Sequence, residues 1–326
     1  MIISRTPFRI SFIGGGTDFP DWYNYNGGKV ISTTINKYCY VNIRKLPPFF
    51  KFKYRLRYFK TEEKNHISQI DHPSIKETLK YKKYYDRFEL VHTADLPAQS
   101  GLGASSSFTV GLLNCLYTLQ EKLATKRKLA LDALEIEQNL IKEAVGSQDQ
   151  FAAAFGGFNV INFQKNNIEV KQIPINSKNI QELEKSVYLI FTGFQRRAAE
   201  QEKKKLKNIK KMHNFYKLIS ELTIEGEKLI YSSTNIVKDF SYLINEYWKI
   251  KKSLSNSVSN NKIDSLINHC RKSGAESVKL LGAGNGGFLL CLVKNKKKFV
   301  SNLKKKMYVP IKFEGIGSQI IYLSNI

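Results

Sequence analysis

The sequence predicts a protein of mixed α-helices and β-strands, divided into two domains. The chain has 326 residues, of which 42% are hydrophobic, so it is long enough to bury a large core. Short apolar runs between polar or glycine breaks predict β-structure over residues 1–60. A long basic pattern of helical type covers residues 198–273. This change from strand-rich to helix-rich sequence predicts domains over residues 1–180 and 181–326.

Several strands can be placed on this outline. Aromatic and leucine residues alternate with lysine and arginine over residues 50–58, a period of two that predicts a half-buried strand with a basic outer face. A nucleic-acid platform is the alternative interpretation of that stretch. Apolar runs predict further strands over residues 88–92, 155–163, 187–193 and 288–293.

Two consecutive helices are predicted in the middle of the chain. The first covers Ser106–Ala124 and the second covers Lys126–Val145, with Thr125 as a possible N-cap. Gly146 is suited to end the second helix, which leaves Asp149 in a loop before a run of alanines.

The net charge of +24 allows two interpretations. Clustered lysine and arginine would indicate nucleic-acid binding. The basic residues are instead spread over separate runs along the chain, which favours solvated faces and a small anionic substrate. In either case the charge speeds encounter with phosphorylated ligands.

The remaining composition predicts a cytoplasmic protein without a membrane anchor. No apolar run approaches the roughly eighteen residues that a transmembrane helix needs, and the N-terminus lacks the order of a signal peptide. The four cysteines are scattered without a CxxC pair, which predicts buried free thiols and neither a metal site nor disulfides.

Glycine-rich segments indicate phosphate binding of a particular kind. The only Gly-Lys pair, Gly28-Lys29, lacks the spacing of a Walker A loop. Residues Gly282–Gly287 match the dinucleotide-binding pattern, but they follow a helical segment and precede a strand, so no Rossmann site is predicted. The segment Pro97–Ser107 has the better context, because it leads directly into an apolar helix whose N-terminal N–H groups favour an anion. A plain serine N-cap is the alternative.

Two carboxylates near this segment are candidates for chemistry. Phosphoryl transfer uses one carboxylate to bind Mg²⁺ and often a second to accept the proton of the attacking hydroxyl. Glu137 and Asp149 lie close enough in sequence to serve these roles. A solvated glutamate on a helix surface is the alternative for Glu137.

Three separated segments together resemble the GHMP family of small-molecule kinases, which includes galactokinase, homoserine kinase and mevalonate kinase. Pro97–Ser107 is similar to the family's phosphate-binding motif, Thr6–Asp18 to its N-terminal substrate motif and Leu281–Phe288 to its C-terminal glycine loop. Ala104 and Asn285 depart from the usual residues. The form of Gly14–Asp18 resembles the heptose-kinase branch, and fucokinase-like enzymes share it.

The resemblance implies an α+β fold of two domains, with ATP, Mg²⁺ and a small sugar phosphate bound in the cleft between them. It implies that Asp149 takes the proton of the sugar hydroxyl, that Arg9 stabilises negative charge beside it, and that Glu137 holds Mg²⁺ with Ser105. The residues implied in nucleotide binding are Pro97, Gly101, Leu102, Gly103, Ala104, Ser105, Ser106 and Ser107. Those implied in substrate binding are Gly15, Gly16, Thr17, Asp18, Arg196, Gly284 and Gly286.

The activity that the resemblance implies is phosphorylation of the anomeric hydroxyl of D-glycero-D-manno-heptose 7-phosphate, which gives the 1,7-bisphosphate. A kinase for L-fucose or another sugar 1-hydroxyl is the first alternative. A basic nucleic-acid-binding protein is the more distant one, and it would leave the paired carboxylates and the three glycine-rich loops without a role.

Overall fold

A computed structural model of the chain describes residues 1–194, 213–254, 258–303 and 308–324. It contains a nine-stranded mixed sheet and a four-stranded antiparallel sheet, with helices packed on both. The mixed sheet has the strands β1 (Ile2–Ile13), β2 (Gly28–Lys45), β3 (Tyr54–Arg57), β4 (Thr61–Lys64), β5 (Phe88–Ala94), β6 (Phe158–Gln164), β7 (Asn167–Ile173), β12 (Phe313–Glu314) and β13 (Gln319–Leu323). The smaller sheet has β8 (Val187–Phe191), β9 (Ala275–Leu280), β10 (Phe288–Val293) and β11 (Tyr308–Val309).

The helices in the described ranges surround these sheets. They are α1 (Pro20–Asn26), α2 (Pro73–Tyr81), α3 (Ala104–Leu119), α4 (Lys126–Leu134), α5 (Gln148–Phe155), α6 (Lys178–Ser186), α7 (His213–Ser232), α8 (Ile236–Ser253), α9 (Asn261–Lys272) and α10 (Lys296–Leu303). A 3-10 turn covers Ile67–Gln69, and a π-helical turn covers Glu135–Leu140. None of the described helices is long and apolar enough to cross a bilayer.

Strand β2 is the central strand of the larger sheet. It runs antiparallel to β1 along most of its length, while its first half also pairs with β6 and its second half with β5. The alternation of buried and exposed residues in its second half fits a strand with one face on the core. The β1–β2 pair therefore brings the segment after β1 to one end of the sheet, beside the start of β2.

Helix α3 packs on the β1–β2 pair and is buried on nearly every side. Its apolar residues, such as Leu112 and Leu116, are inaccessible to solvent, and Gly111 sits against the side chains of Ser4 and Thr6. Because a helix that is apolar all round needs a core position, this packing fixes the N-terminus of α3 next to β1.

The C-terminal end of the chain returns to the first sheet. Strands β8 to β11 form the smaller sheet, but β12 pairs with β2 and β13 pairs with β1. The division into domains 1–180 and 181–326 stays a prediction. Its boundary does not separate the two sheets completely, because β12 and β13 come from the second predicted domain but pair with β2 and β1 of the first.

The structure confirms the first of the predicted central helices, although α3 begins two residues earlier than predicted and ends at Leu119 instead of Ala124, and it corrects the second. The side chain of Thr125 accepts from the N–H of Lys128, as the cap prediction required. The following helix is shorter than predicted: α4 passes into the π-helical turn at Glu135, and Asp149 lies in α5 and not in a loop. Gly146 does not end a helix; it lies in the loop before α5.

Three other expectations can be compared with the structure. The predicted strand over residues 50–58 is limited to β3, since the residues before Tyr54 form turns. The segment before Gly282 is the strand β9, and not a helix as predicted, so Leu281–Gly287 is the loop of a hairpin between β9 and β10. The four cysteines are buried thiols, as expected.

Candidate active site

The ion pair between Arg9 and Asp149 lies at the centre of the candidate site. Arg9 is on β1 and Asp149 is in the first turn of α5, and the two side chains make two parallel hydrogen bonds, Nε to Oδ1 at 2.6 Å and Nη2 to Oδ2 at 2.7 Å. The third donor of the guanidinium, Nη1, reaches the carbonyl oxygen of Gly101 at 2.6 Å. One arginine thus joins the carboxylate to the glycine-serine segment, with geometry that suits the fork of a guanidinium.

The segment Pro97–Ser107, here called the phosphate loop, folds against this ion pair. Gly101 and Gly103 have φ values of +77° and +74°, a region that residues with a side chain rarely adopt. A Cβ on Gly103 would lie 3.3 Å from Oδ2 of Asp149, so loop and carboxylate are in contact. Helix α3 begins directly after Gly103, and the N–H groups of its first turn have no intrahelical acceptor. They form a ready site for an anion.

The hairpin loop Leu281–Gly287, here called the glycine hairpin, packs on the phosphate loop. A Cβ on Gly282 would lie 2.5 Å from Cα of Gly101, and one on Gly287 would overlap the carbonyl oxygen of Ser100. Gly284 and Gly286, both proposed to bind substrate, approach the backbones of Val258 and Phe194. The glycines of this hairpin therefore permit close packing of backbone on backbone, and the two proposed substrate contacts stay predictions.

Glu137 is fully buried in the π-helical turn, an element that often occurs at functional sites. Its Oε2 accepts from the hydroxyl of Ser106 at 2.8 Å and from Nε2 of Gln150 at 2.5 Å. Its Oε1 is buried without a hydrogen-bond partner. Burial raises the pKa of Glu137 to about 7, against the lowering effect of hydrogen bonds from Gln150, Thr109 and Ser106.

These groups have the chemistry that a magnesium ion requires. Mg²⁺ prefers oxygen ligands, usually one or two carboxylates together with water and phosphate oxygens. Glu137 offers an oxygen with no other partner, and the hydroxyl of Ser106 lies beside it. In the described parts of the chain, no group of three or more His, Cys, Asp or Glu side chains is arranged to hold a metal ion.

The structure distinguishes between the three serines at the start of α3. Ser106 is the one whose hydroxyl donates to Glu137, whereas Ser105, the residue expected to meet the metal, is exposed. The hydroxyl of Ser107 donates to the carbonyl oxygen of Pro7 on β1, which anchors the helix to the sheet. Ser106 is thus better placed than Ser105 to act together with Glu137.

The segment Gly14–Asp18, here called the substrate loop, meets the residues before Asp149. Asp18 is almost completely buried; its Oδ1 accepts from the N–H of Gly16 at 2.8 Å, and its Oδ2 accepts from Nε2 of Gln148 at 3.0 Å. The N–H of Ser147 donates to the backbone carbonyl of Asp18 at 2.8 Å. The carboxylate expected to bind sugar hydroxyls therefore also joins the substrate loop to the turn that carries Asp149.

We expect Gly146→Ala to weaken substrate binding. A Cβ at this position would overlap Oδ2 of Asp18, so the substrate loop and the turn before α5 must separate. Overpacking of this kind costs about 1–3 kcal/mol, equivalent to a rise in the sugar KM on the order of tenfold. Steady-state kinetics with varied sugar checks it. Gly315→Ala is the control, because its Cβ would meet only the end of the Ile175 side chain, at 3.2 Å. A wild-type KM in Gly146→Ala would show that the contact between Gly146 and Asp18 does not contribute to substrate binding.

The other residues of the substrate loop have mainly structural contacts. The hydroxyl of Thr17 lies 2.8 Å from the carbonyl oxygen of Gly14 and 2.9 Å from that of Lys29, which fixes the loop to the start of β2. The hydroxyl of Tyr247 on α8 donates to the carbonyl oxygen of Gly15 at 2.9 Å. The ring of Tyr216 on α7 packs against Gly16, where a Cβ would lie 2.9 Å from Cε1.

The remaining predicted residues have different outcomes. Leu102 is buried in the core below the phosphate loop, so it anchors the loop through its side chain. The side chain of Ala104 opens α3 without contributing a polar group. Pro97 begins the loop after β5. Arg196, predicted to bind the phosphate of the substrate, lies outside the described residues.

Sequence reasoning missed the two glutamines on either side of Asp149. Three consecutive side chains reach three functional groups: Gln148 contacts Asp18, Asp149 pairs with Arg9, and Gln150 contacts Glu137. The signal was present in the sequence, since polar residues flank a candidate base directly before a run of alanines. Tyr247 had no such signal, because it lies on a helix whose basic pattern suggested a solvated surface.

The chain is similar to several known proteins. Residues 73–157 match the GHMP kinases N terminal domain. A D-glycero-alpha-D-manno-heptose 7-phosphate kinase of Campylobacter jejuni is 29% identical over 317 residues, which cover 91% of each chain. A galactokinase of Pyrococcus furiosus is 25% identical, with 94% of each chain covered. Among solved structures, a D-glycero-D-manno-heptose 1-phosphate kinase from Bacteroides thetaiotaomicron superposes with a TM-score of 0.79 over 100% of both chains, at 23% identity.

The matched domain contains the phosphate loop, Glu137 and Asp149. The other three matches extend over nearly the whole chain, well beyond this domain. Residues 73–157 therefore form a GHMP kinase N-terminal domain, and the mixed helix and sheet fold of the chain is that of the solved GHMP kinase structures.

Proposed function

We propose that this protein is an ATP-dependent sugar kinase that phosphorylates the anomeric hydroxyl of D-glycero-D-manno-heptose 7-phosphate and forms the 1,7-bisphosphate. One observation carries the proposal: the ion pair of Arg9 and Asp149 lies directly against the phosphate loop at the N-terminus of α3. A carboxylate, a guanidinium and a helix N-terminus then surround one point, where a phosphoryl group can pass from nucleotide to sugar.

The phosphate loop is the proposed site for the nucleotide. N–H groups of Gly101 to Ser106 and the positive end of the α3 dipole bind the β- and γ-phosphates, with the adenine beside the loop. The contact with the glycine hairpin holds this loop in shape from the other side. Catalysis of phosphoryl transfer depends largely on such positioning and on electrostatic stabilisation.

Asp149 is the proposed general base. Both of its oxygens are oriented by Arg9, so the carboxylate is held in one position and can accept the proton of a sugar hydroxyl bound in front of it. Arg9 also stabilises the negative charge that develops on the transferred group. The partial exposure of the Asp149 side chain leaves it accessible from the cleft.

Glu137 and Ser106 would hold the magnesium ion that family members use. When bound, the ion neutralises charge on the nucleotide phosphates. Gln150 keeps one oxygen of Glu137 occupied, which leaves Oε1 as the oxygen available to a cation. Ser105 is the alternative hydroxyl, since it lies on the exposed side of the same turn.

The choice of sugar rests on similarity to relatives. One full-length relative is named for a heptose 7-phosphate substrate, and the superposed structure is named as a heptose 1-phosphate kinase. The form of Gly14–Asp18 suits this branch but is shared with fucokinase-like enzymes, so phosphorylation of L-fucose or another sugar at its 1-hydroxyl is the second candidate. Arg196 or a neighbouring cation is proposed to bind the phosphate that the substrate already carries, because arginine matches phosphate in a bidentate manner.

A panel of sugars tests the proposal. The purified protein is incubated with Mg²⁺ and ATP and either D-glycero-D-manno-heptose 7-phosphate, the unphosphorylated heptose, L-fucose or D-galactose, and ADP release is measured. We expect kcat/KM to be highest for the heptose 7-phosphate. Faster turnover of L-fucose would favour the second candidate, and ADP release that no sugar stimulates would contradict both.

A further inference from the structure

Lys279 is a buried lysine that the proposed mechanism does not use. It lies on β9, two residues before the glycine hairpin, and only 2% of its surface is exposed. Lysine is almost never fully buried unless it is paired, yet no carboxylate among the described residues lies within salt-bridge distance of its Nζ. The ammonium instead donates to the carbonyl oxygen of Phe12 at 2.6 Å and lies 4.5 Å from the centre of the Tyr247 ring.

These two contacts connect the smaller sheet with the substrate loop. Phe12 is two residues before Gly14, the first residue of that loop. Tyr247, which the ammonium contacts, donates its own hydroxyl to the carbonyl oxygen of Gly15. Lys279 is therefore connected to the loop in two ways, through the backbone of Phe12 just before it and through Tyr247, which contacts Gly15.

Among the described residues, the charged groups that lower the pKa of Lys279 are two cations. Arg9 on β1, which is paired with Asp149, and Lys251 on α8, which donates to the carbonyl of Gly282, both repel its positive charge. Tyr247, on the same helix α8, presents the face of its ring to the ammonium and has a titratable hydroxyl. The register partner of Lys279 on β10 is the apolar Leu290. The pKa of Lys279 lies well below its usual range, mainly because the side chain is buried and in addition because of these two cations.

We propose that Lys279, as an ammonium ion, is a positioning residue that fixes the substrate loop and thereby favours binding of an anion in the cleft. An anion near Arg9 offsets the positive charges that oppose protonation of Lys279. By linkage, the charged form of Lys279 then favours anion binding to the same degree. Loss of the proton weakens the contact with the Tyr247 ring, since cation–π attraction requires the charge.

The inference rests on the proposed function only for its kinetic consequence. ATP binding, without any sugar, is measured by titration calorimetry over a series of pH values in two buffers with different ionisation enthalpies. For the wild type we expect uptake of a fraction of a proton per ATP. We expect Lys279→Met to lose that uptake, and Lys279→Arg to lose it while keeping the affinity, because arginine stays charged at these pH values. Tyr247→Phe, which retains the ring and the lysine, is the control and keeps the uptake.

Turnover provides the second measurement. We expect Lys279→Met to raise the KM for heptose 7-phosphate about tenfold and to leave kcat within a few-fold of the wild-type value. In this variant the KM should also rise less with pH than in the wild type. We expect Lys279→Arg to restore the low KM. Proton uptake equal to that of the wild type in either lysine variant would overturn the proposal. A lower melting temperature with no change in proton uptake or KM would show that Lys279 has only a structural role, and would also overturn it. Uptake that depends on Lys279 without any sugar turnover would contradict the proposed function but support the role of this lysine.

Discussion

Asp149→Asn is expected to lower kcat by a factor on the order of a hundred or more, the contribution typical of general acid–base catalysis. The amide keeps the shape of the carboxylate and can still accept one hydrogen bond from Arg9, but it cannot take the proton of the sugar hydroxyl. The measurement is the steady-state rate of ADP formation at saturating sugar and ATP. Circular dichroism and the melting temperature confirm that the variant is folded.

The matched control for this variant is Asp132→Asn. Asp132 is a buried aspartate on α4 that accepts from the hydroxyls of Tyr81 and Tyr117 and pairs with Lys128, with no contact to the proposed site. We expect this control to lower the melting temperature and to leave kcat nearly unchanged. If Asp149→Asn turned over sugar at close to the wild-type rate, the assignment of the base would be wrong.

Glu137→Gln is expected to raise the Mg²⁺ concentration required for half-maximal activity at least about tenfold, as changes around metal ligands commonly do. The amide fills the same space but presents no negative charge to a cation. The measurement is the rate of ADP formation as Mg²⁺ is varied at fixed ATP. An unchanged requirement for Mg²⁺ would contradict the ligand assignment.

The same variant should be more stable than the wild type in the absence of ligands at pH 8. The pKa of Glu137 is raised from 4.5 to about 7 in the folded protein, so the folded state favours the neutral carboxyl. Stability is therefore lost as the pH rises from about 4.5 to about 7, and the loss persists above pH 7. The neutral amide avoids that loss, on the order of 1–3 kcal/mol.

Glu89→Gln is the control for this stability effect. Glu89 on β5 is also buried, but it forms ion pairs with Arg44, Arg55 and Arg57. Removal of its negative charge therefore leaves the positive charges of these arginines without their carboxylate partner, which destabilises the folded protein. We expect the control to lower the melting temperature at pH 8, opposite to Glu137→Gln, and to leave the Mg²⁺ requirement unchanged. A melting temperature that falls, or rises, in both variants at pH 8 would contradict the conclusion that burial disfavours the charged form of Glu137.

The central part of the site could be predicted from the sequence because its determinants are local. The phosphate loop needs glycines that adopt positive φ next to a helix start, and both features are contiguous in the chain. The pairing of Arg9 with Asp149 followed from the family pattern. The helix that carries Asp149 was missed, because α5 has only eight residues and the side chain of its N-cap, Ser147, makes no capping hydrogen bond.

The buried lysines could not be predicted from the sequence. The basic pattern after residue 198 favoured solvated faces, yet Lys251 and Lys279 are buried. Their ammonium groups are stabilised by backbone carbonyls and by the ring of Tyr247, which come from distant segments of the chain. Likewise, the contact of Gly146 with Asp18 depends on how the substrate loop meets α5, which no local pattern specifies.

Identification of the product by ³¹P NMR tests the central claim most directly. The protein is incubated with Mg²⁺, ATP and D-glycero-D-manno-heptose 7-phosphate, and the sugar product is isolated. We expect a second phosphorus signal coupled to the anomeric proton of the heptose, formed in equal amount with ADP and absent with the Asp149→Asn variant. ADP formation with only the original sugar phosphate signal, or a new phosphate on another hydroxyl, would contradict the account.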